Sequence, residues 1–156
     1  MEKHDKSLAS AIIVAGMVVG TLDLSAAIIQ TIIMGGNPLK MLQYIASGIL
    51  GPDSFKGGIK YSILGVFIHY CIAFSWTIIF YLLYPKIKGM AVNKLLTGIL
   101  YGIIVWLVMN RLVIPLSRIP ERPFNPTNAI IGLGILIIAI GIPLSLMAGK
   151  YYDGKK

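Results

Sequence analysis

Four apolar runs decide what this chain can become: residues 8–34, 59–83, 95–116 and 128–149 are almost free of charge. Each is near the ~20 residues that an α-helix needs to cross the ~30 Å hydrocarbon core of a bilayer. Lipid offers no partner for a peptide group, so such runs close their hydrogen bonds internally, as helices. The expected class is therefore all-α: a polytopic membrane protein built as a four-transmembrane-helix bundle, with residues 1–156 forming one integral membrane domain. The composition agrees, because 56% hydrophobic and 13% charged residues with a mean hydropathy of +0.81 fall outside the soluble range. The first run is about twice the length of a signal-peptide core, so it reads as an uncleaved helix.

A net charge of +8 would suit nucleic acid in a soluble chain. Here the 14 basic residues sit in the connections and at the ends, where they report topology, and no nucleic-acid partner is expected. Eight of them fall on the side shared by the two termini and the 84–94 turn, against six on the other side. Short loops obey the positive-inside rule best, so the sequence expectation puts both termini in the cytoplasm.

The first outer connection carries its own helix. Asn37 before Pro38 is a helix-start signal, Leu39, Leu42, Ile45, Ala46 and Ile49 recur at helical spacing opposite Lys40, Gln43 and Ser47, and Gly51-Pro52 stops the run. Residues 38–50 are too few to span, which leaves an interfacial or a re-entrant helix. The second outer connection, IPLSRIPERPFNPTN, contains Pro115, Pro120, Pro123 and Pro126 and reads as a semi-rigid, non-helical lid. Asn125-Pro126 then starts the last helix.

Transmembrane helices associate through small residues, since lipid is as apolar as leucine. Candidate packing positions are Gly16 and Gly20 in the first span, Gly65 with Ala73 in the second, Gly98 and Gly102 in the third, and Gly134 with Gly141 in the fourth. They serve either contact within the chain or the seam of a homo-oligomer. Pro143 frees a carbonyl near Ala139 and is expected to kink the fourth span.

Polar residues inside these runs are the candidates for function. Asp23 continues the Gly16/Gly20 stripe, with Ala27 and Gln30 beyond it, and His69 lies on a stripe with Ser62, Gly65, Ala73 and Trp76. Helical rise places Asp23 ~16 Å from the outer end of its span and His69 ~15 Å from the outer end of its own, so the two share a depth. Asn110 and Arg111 lie higher, in the third span; Arg111 either snorkels outward or reaches down toward Asp23. Three readings of Asp23 stay open: a neutral carboxyl bonded to a neighbouring helix, because burial disfavours its charged form; a titrating group in a wet cavity; or one half of an ion pair. His69 is equally readable as a neutral interhelical bond, and Asn110 as a link between helices.

Asp23, His69 and Cys71 are too few, and too scattered in direction, for the three or four ligands of a metal site, and no metal or cofactor is expected. No nucleophile elbow, HExxH or phosphate loop is present, which argues against an enzyme.

The segments YPKIK, GILYGIIVWLVMN and VIPLS resemble the YagU-like family of small bacterial inner-membrane proteins, in which a proline-lysine turn leads into a Gly-rich helix and a proline-containing polar segment. GTLDLSAA, NPLKMLQYIASGILG and HYCIAFSW extend the likeness over most of the chain. The resemblance implies an inner-membrane location and a loose link to acid tolerance, with no substrate, reaction, cofactor or functional residue to carry over.

Two expectations follow. In the first, the Asp23/His69 spot moves or senses protons or a small polar solute; in the second, the protein is a structural subunit that binds lipid or a partner through residues 38–50 and the lid.

Overall fold

A computed structural model describes residues 7–87, 93–121 and 123–154. Those residues form five helices: α1 (Leu8–Ile33), α2 (Pro38–Leu50), α3 (Ile59–Ile87), α4 (Lys94–Leu116) and α5 (Pro126–Asp153). A 3-10 turn, Gly51–Lys56, joins α2 to α3. The four long helices are long and apolar enough to cross a membrane, and the chain is a multi-pass, all-α membrane protein. Lys3, Lys6, the turn at 88–92, Arg122, Lys155 and Lys156 lie outside the described residues, and with them much of the charge asymmetry read from the sequence.

Each helix start follows the cap chemistry of its sequence. Asn37 Oδ1 accepts the Leu39 amide at 2.8 Å, Asn93 Oδ1 the Leu96 amide at 2.7 Å and Asn125 Oδ1 the Asn128 amide at 3.1 Å, each satisfying a donor that has no partner inside the helix. Pro38 and Pro126 then occupy first-turn positions, where a missing N–H costs nothing.

Prolines inside the spans are handled in two ways. Hydropathy ends the second run at residue 83, yet α3 continues through Pro85 to Ile87. Pro85 has no N–H for the carbonyl of Tyr81, and the Tyr152 hydroxyl supplies one in its place at 2.8 Å. In α4 and α5 the backbone instead widens into π-helical turns, Met109–Val113 and Leu136–Gly141, just ahead of Pro115 and Pro143. The amide of Ile142 bonds back to Ile137, five residues away, so the expected kink at Pro143 is resolved as a π-turn. Pro115 is likewise helical, and among the described residues the non-helical lid is confined to 117–121 and 123–125.

That widened backbone needs a partner without side chains. Gly102 and Gly98 provide it: a Cβ on Gly102 would lie 2.6 Å from Ile137 Cα, and one on Gly98 would lie 2.7 Å from Ile142 Cα. A Cβ on Gly141 would in turn strike the backbone of Gly98. The glycines expected to pack are thus used within the chain, Gly16 against the Phe74 ring and Gly20 against Tyr70 and Ala73. Two expectations change. Gly65 meets the Leu42 carbonyl of α2 rather than a membrane-crossing helix, and Gly134 faces open space.

Helix α2 departs in part from its sequence pattern. Gln43 and Ser47, read as lying opposite its apolar stripe, are buried, whereas Leu39 and Ile49 of that stripe are 46% and 59% exposed. The inward polar groups are bonded: Gln43 Nε2 donates to the Gly58 carbonyl at 2.9 Å, Ser47 Oγ donates to the Tyr44 carbonyl at 2.6 Å, and Ser62 Oγ of α3 donates to the Leu39 carbonyl at 3.1 Å. The amide of Arg118 in the lid bonds the Gly48 carbonyl at 3.1 Å, closing one of the free acceptors at the end of α2. Leu42 and Ala46 are buried beside these polar groups, while Leu39, Lys40 and Ile49 lie outward.

The core lies in the half of the bundle near the chain termini. Ala15, Val19, Phe80, Tyr81, Val105 and Leu144 are among its most buried residues, and α1, α3, α4 and α5 all contribute. Tyr101 stacks at 4.5 Å on Phe80, and its hydroxyl donates to the Trp76 carbonyl at 2.6 Å. This end is tight. The opposite end, under α2 and the lid, is where the helices part.

Gly102→Ala should lower the stability of the purified protein by about 1–3 kcal/mol, the range for overpacking a fixed backbone contact. Gly134→Ala should leave it unchanged or raise it slightly, since alanine favours helix and meets nothing there. Thermal unfolding of the two variants side by side in the same detergent checks the pair.

Candidate functional site

The site begins with a glycine. Without a side chain at Gly20, α3 approaches α1 closely enough for His69 Nε2 to reach the Gly20 carbonyl at 2.9 Å. One turn of α1 further on, Asp23 Oδ2 lies 3.9 Å from the same nitrogen. Thr21 Oγ1 and the Tyr70 hydroxyl, 2.8 Å apart, make a second polar bridge between the two helices beside it. A carbonyl can only accept, so the proton of a neutral His69 sits on Nε2. The structure therefore brings Asp23 and His69 together at mid-span, the two groups whose depths matched in the sequence.

Their surroundings differ. His69 Nε2 is occupied by a backbone bond, and its side chain is 11% exposed. Among the described residues the Asp23 carboxylate receives no hydrogen bond, and His69 is its nearest charged or chargeable neighbour. Leaving such a group without water costs several kcal/mol. The carboxyl instead opens into a cavity of about 930 Å³.

This cavity runs from Asp23 toward the α2 end, between α1, α4 and α5, and beneath the lid. Its polar lining includes the amides of Gln30, Asn110, Asn125 and Asn128. Tyr44 of α2 and Glu121 of the lid also face it. A second cavity of about 390 Å³ shares Asp23 and Tyr44 and extends between α3 and α4, where Ile45, Ile68, Ile72, Val105 and Met109 make it apolar. Below Asp23 the aromatic and aliphatic core closes the bundle.

Asn110 and Arg111 separate in the structure. Asn110 lines the larger cavity and donates to the Trp106 carbonyl at 2.9 Å, inside the π-turn of α4. Arg111 is exposed on α4 and lines neither cavity, so it does not reach down to Asp23. Adjacent side chains on a helix point in different directions, so one of the two neighbours meets the cavity and the other does not. Cys71, two residues beyond His69, is exposed on the outer face of α3. No group of three His, Cys, Asp or Glu side chains converges among the described residues.

Tyr44, Asn128 and Glu121 are cavity residues that the sequence reading did not single out. Asn125 carried a signal only as a helix-start residue, and Tyr44 lay between the apolar and polar positions of α2. Outside the spans, Lys56 and Asp53 form a 2.9 Å pair on the surface, and the ammonium holds the carboxyl below its usual range. Exposed pairs of this kind contribute little.

Comparison with family models, curated proteins and solved structures finds no match. The likeness to the YagU-like family therefore rests on the residues quoted above alone.

In a His4→Ala variant, where His69 is the sole imidazole, nitrogen NMR above the histidine titration should show the proton on Nε2 and a bare Nδ1. The reverse tautomer would remove the Gly20 contact from the site.

Proposed function

We propose that this protein is a multi-pass protein of the bacterial inner membrane in which Asp23, with His69 beside it, takes up and releases protons from one side of the bilayer, to move protons or a small polar solute or to sense acidity. The observation that carries this reading is the carboxyl itself: it lies at mid-span without a hydrogen-bond partner among the described residues, and it opens into a 930 Å³ cavity. Ionisable groups at this depth are expensive and usually mark an ion or proton path. The charge bias of the connections supports a topology with cytoplasmic termini, and the YagU-like resemblance supports the inner membrane. In that orientation the cavity faces outward, away from the cytoplasm.

Protonation of Asp23 removes the negative charge beside His69. As external pH falls, the carboxyl becomes neutral, and the attraction that a protonated imidazole feels for it is lost. The π-turns of α4 and α5 lie on the cavity wall, and such turns are places where a helix can shift register. Passage of a solute would require the Phe80, Tyr101 and Leu144 core to part. Sensing would not.

The structural-subunit reading uses the same α2 and lid. Deleting residues 38–51 does not separate the two readings, because Gln43, Ser62 and Arg118 tie that segment to the rest of the bundle. Changing the carboxyl alone does separate them. Reconstituted into liposomes with an internal pH dye, the protein should carry a flux driven by a pH gradient, and Asp23→Asn should reduce it at least tenfold. A flux equal in the two proteins assigns Asp23 a packing role and ends this reading.

A further inference from the structure

The two cavities differ in chemistry and meet at one carboxyl. The larger is walled by amides and aromatic rings, among them Trp106, Tyr44 and Phe124, and its two charged groups are both acidic: Asp23 at the floor and Glu121 at the rim. No lysine or arginine is among the described residues lining either cavity. The smaller cavity is an apolar slot between α3 and α4, bounded by Ile68, Ile72, Val105 and Met109. Helices α3 and α4 meet through Trp76, Phe80 and Tyr101, and Trp76 also lines the slot.

Acidic groups as the charged side chains among the described lining residues, aromatic faces beside them and an apolar slot opening from the same point describe one ligand shape. We infer that the paired cavities bind a lipophilic organic cation, with its ammonium group near Asp23 and the ring faces of the larger cavity and its hydrocarbon tail in the α3/α4 slot. This rests on the preceding reading of Asp23 as a water-accessible titrating carboxyl, and it supplies the class of solute. The ammonium is attracted by the carboxylate and by aromatic quadrupoles, an interaction that strengthens away from bulk water. Volumes of about 930 and 390 Å³ suit a small molecule with a short tail.

Proton and cation then compete for one carboxyl. Among the described residues, the titratable groups that line the cavities with Asp23 are His69 of α3, Tyr44 of α2 and Glu121 of the lid, while α4 and α5 present the uncharged Asn110, Trp106 and Asn128. Protonation of Asp23 removes its attraction for the ammonium. Affinity should therefore rise with pH.

Hexyltrimethylammonium, used below its micelle concentration with the full chain in a maltoside detergent, is the probe, and calorimetry reads binding. Tetramethylammonium keeps the head without the tail, and hexanesulfonate keeps the tail with the opposite charge. The expected result is saturable binding of hexyltrimethylammonium, at least tenfold tighter than either control, rising from pH 5 to pH 8 and falling at least tenfold in Asp23→Asn. Ile72→Trp, which fills the slot without touching the carboxyl, should weaken the tailed cation and leave tetramethylammonium unchanged. Equal binding of the sulfonate, or full affinity in a folded Asp23→Asn variant, overturns the inference. A protein whose proton flux depends on Asp23 but which does not bind the cation keeps the proton reading and loses this one. A protein that shows neither loses both.

Discussion

The contact of α1 with α3 at Gly20 is the interaction on which the site depends. A side chain there would push Tyr70 and Ala73 away and carry the His69 imidazole out of reach of the Gly20 carbonyl. With hydrogen in that place, one backbone carbonyl fixes the histidine, and the histidine stands beside the only acidic side chain described within α1. Hydrophobic burial cannot supply this precision inside a membrane, because lipid solvates leucine as well as another helix does. Close approach and a few polar bonds do it instead.

The same economy recurs wherever the backbone is irregular. Each break in a helical ladder must be repaired inside the protein. The carbonyl left free by Pro85 is met by Tyr152, and the widened turn before Pro143 is accommodated by Gly98 and Gly102. The half of the bundle near the termini is thereby dense and aromatic. The other half contains the π-turn of α4, the lid and α2, and it opens into the two cavities. A tight half and an open half leave Asp23 between a cavity on one side and a packed core on the other.

Much of this was legible in the sequence. The four spans follow from apolar length, the helix starts from Asn-Pro and Asn caps, and the juxtaposition of Asp23 with His69 from equal depth on small-residue stripes. Three features were not. The burial of Gln43 and Ser47 beside Leu42 and Ala46 is set by bonds to the Gly58 and Tyr44 carbonyls, which an apolar period does not show. Which of Asn110 and Arg111 meets the cavity depends on the phase of α4 within its π-turn, and a 3.6-residue period does not carry that phase. Gly134 looks like Gly102 in sequence, and only the course of the neighbouring helix separates a packed glycine from an idle one.

Whether water reaches the carboxyl at mid-span is the claim on which the functional account stands. The direct measurement is thiol labelling of Asp23→Cys in a Cys71→Ser background by a charged, membrane-impermeant methanethiosulfonate, with Ala148→Cys in the sealed core as the reference and gel filtration to verify that each variant is folded. The account predicts rapid modification at position 23 and none at 148, where the side chain is fully buried. A folded Asp23→Cys protein that reacts no faster than Ala148→Cys would place the carboxyl between sealed helices and contradict it.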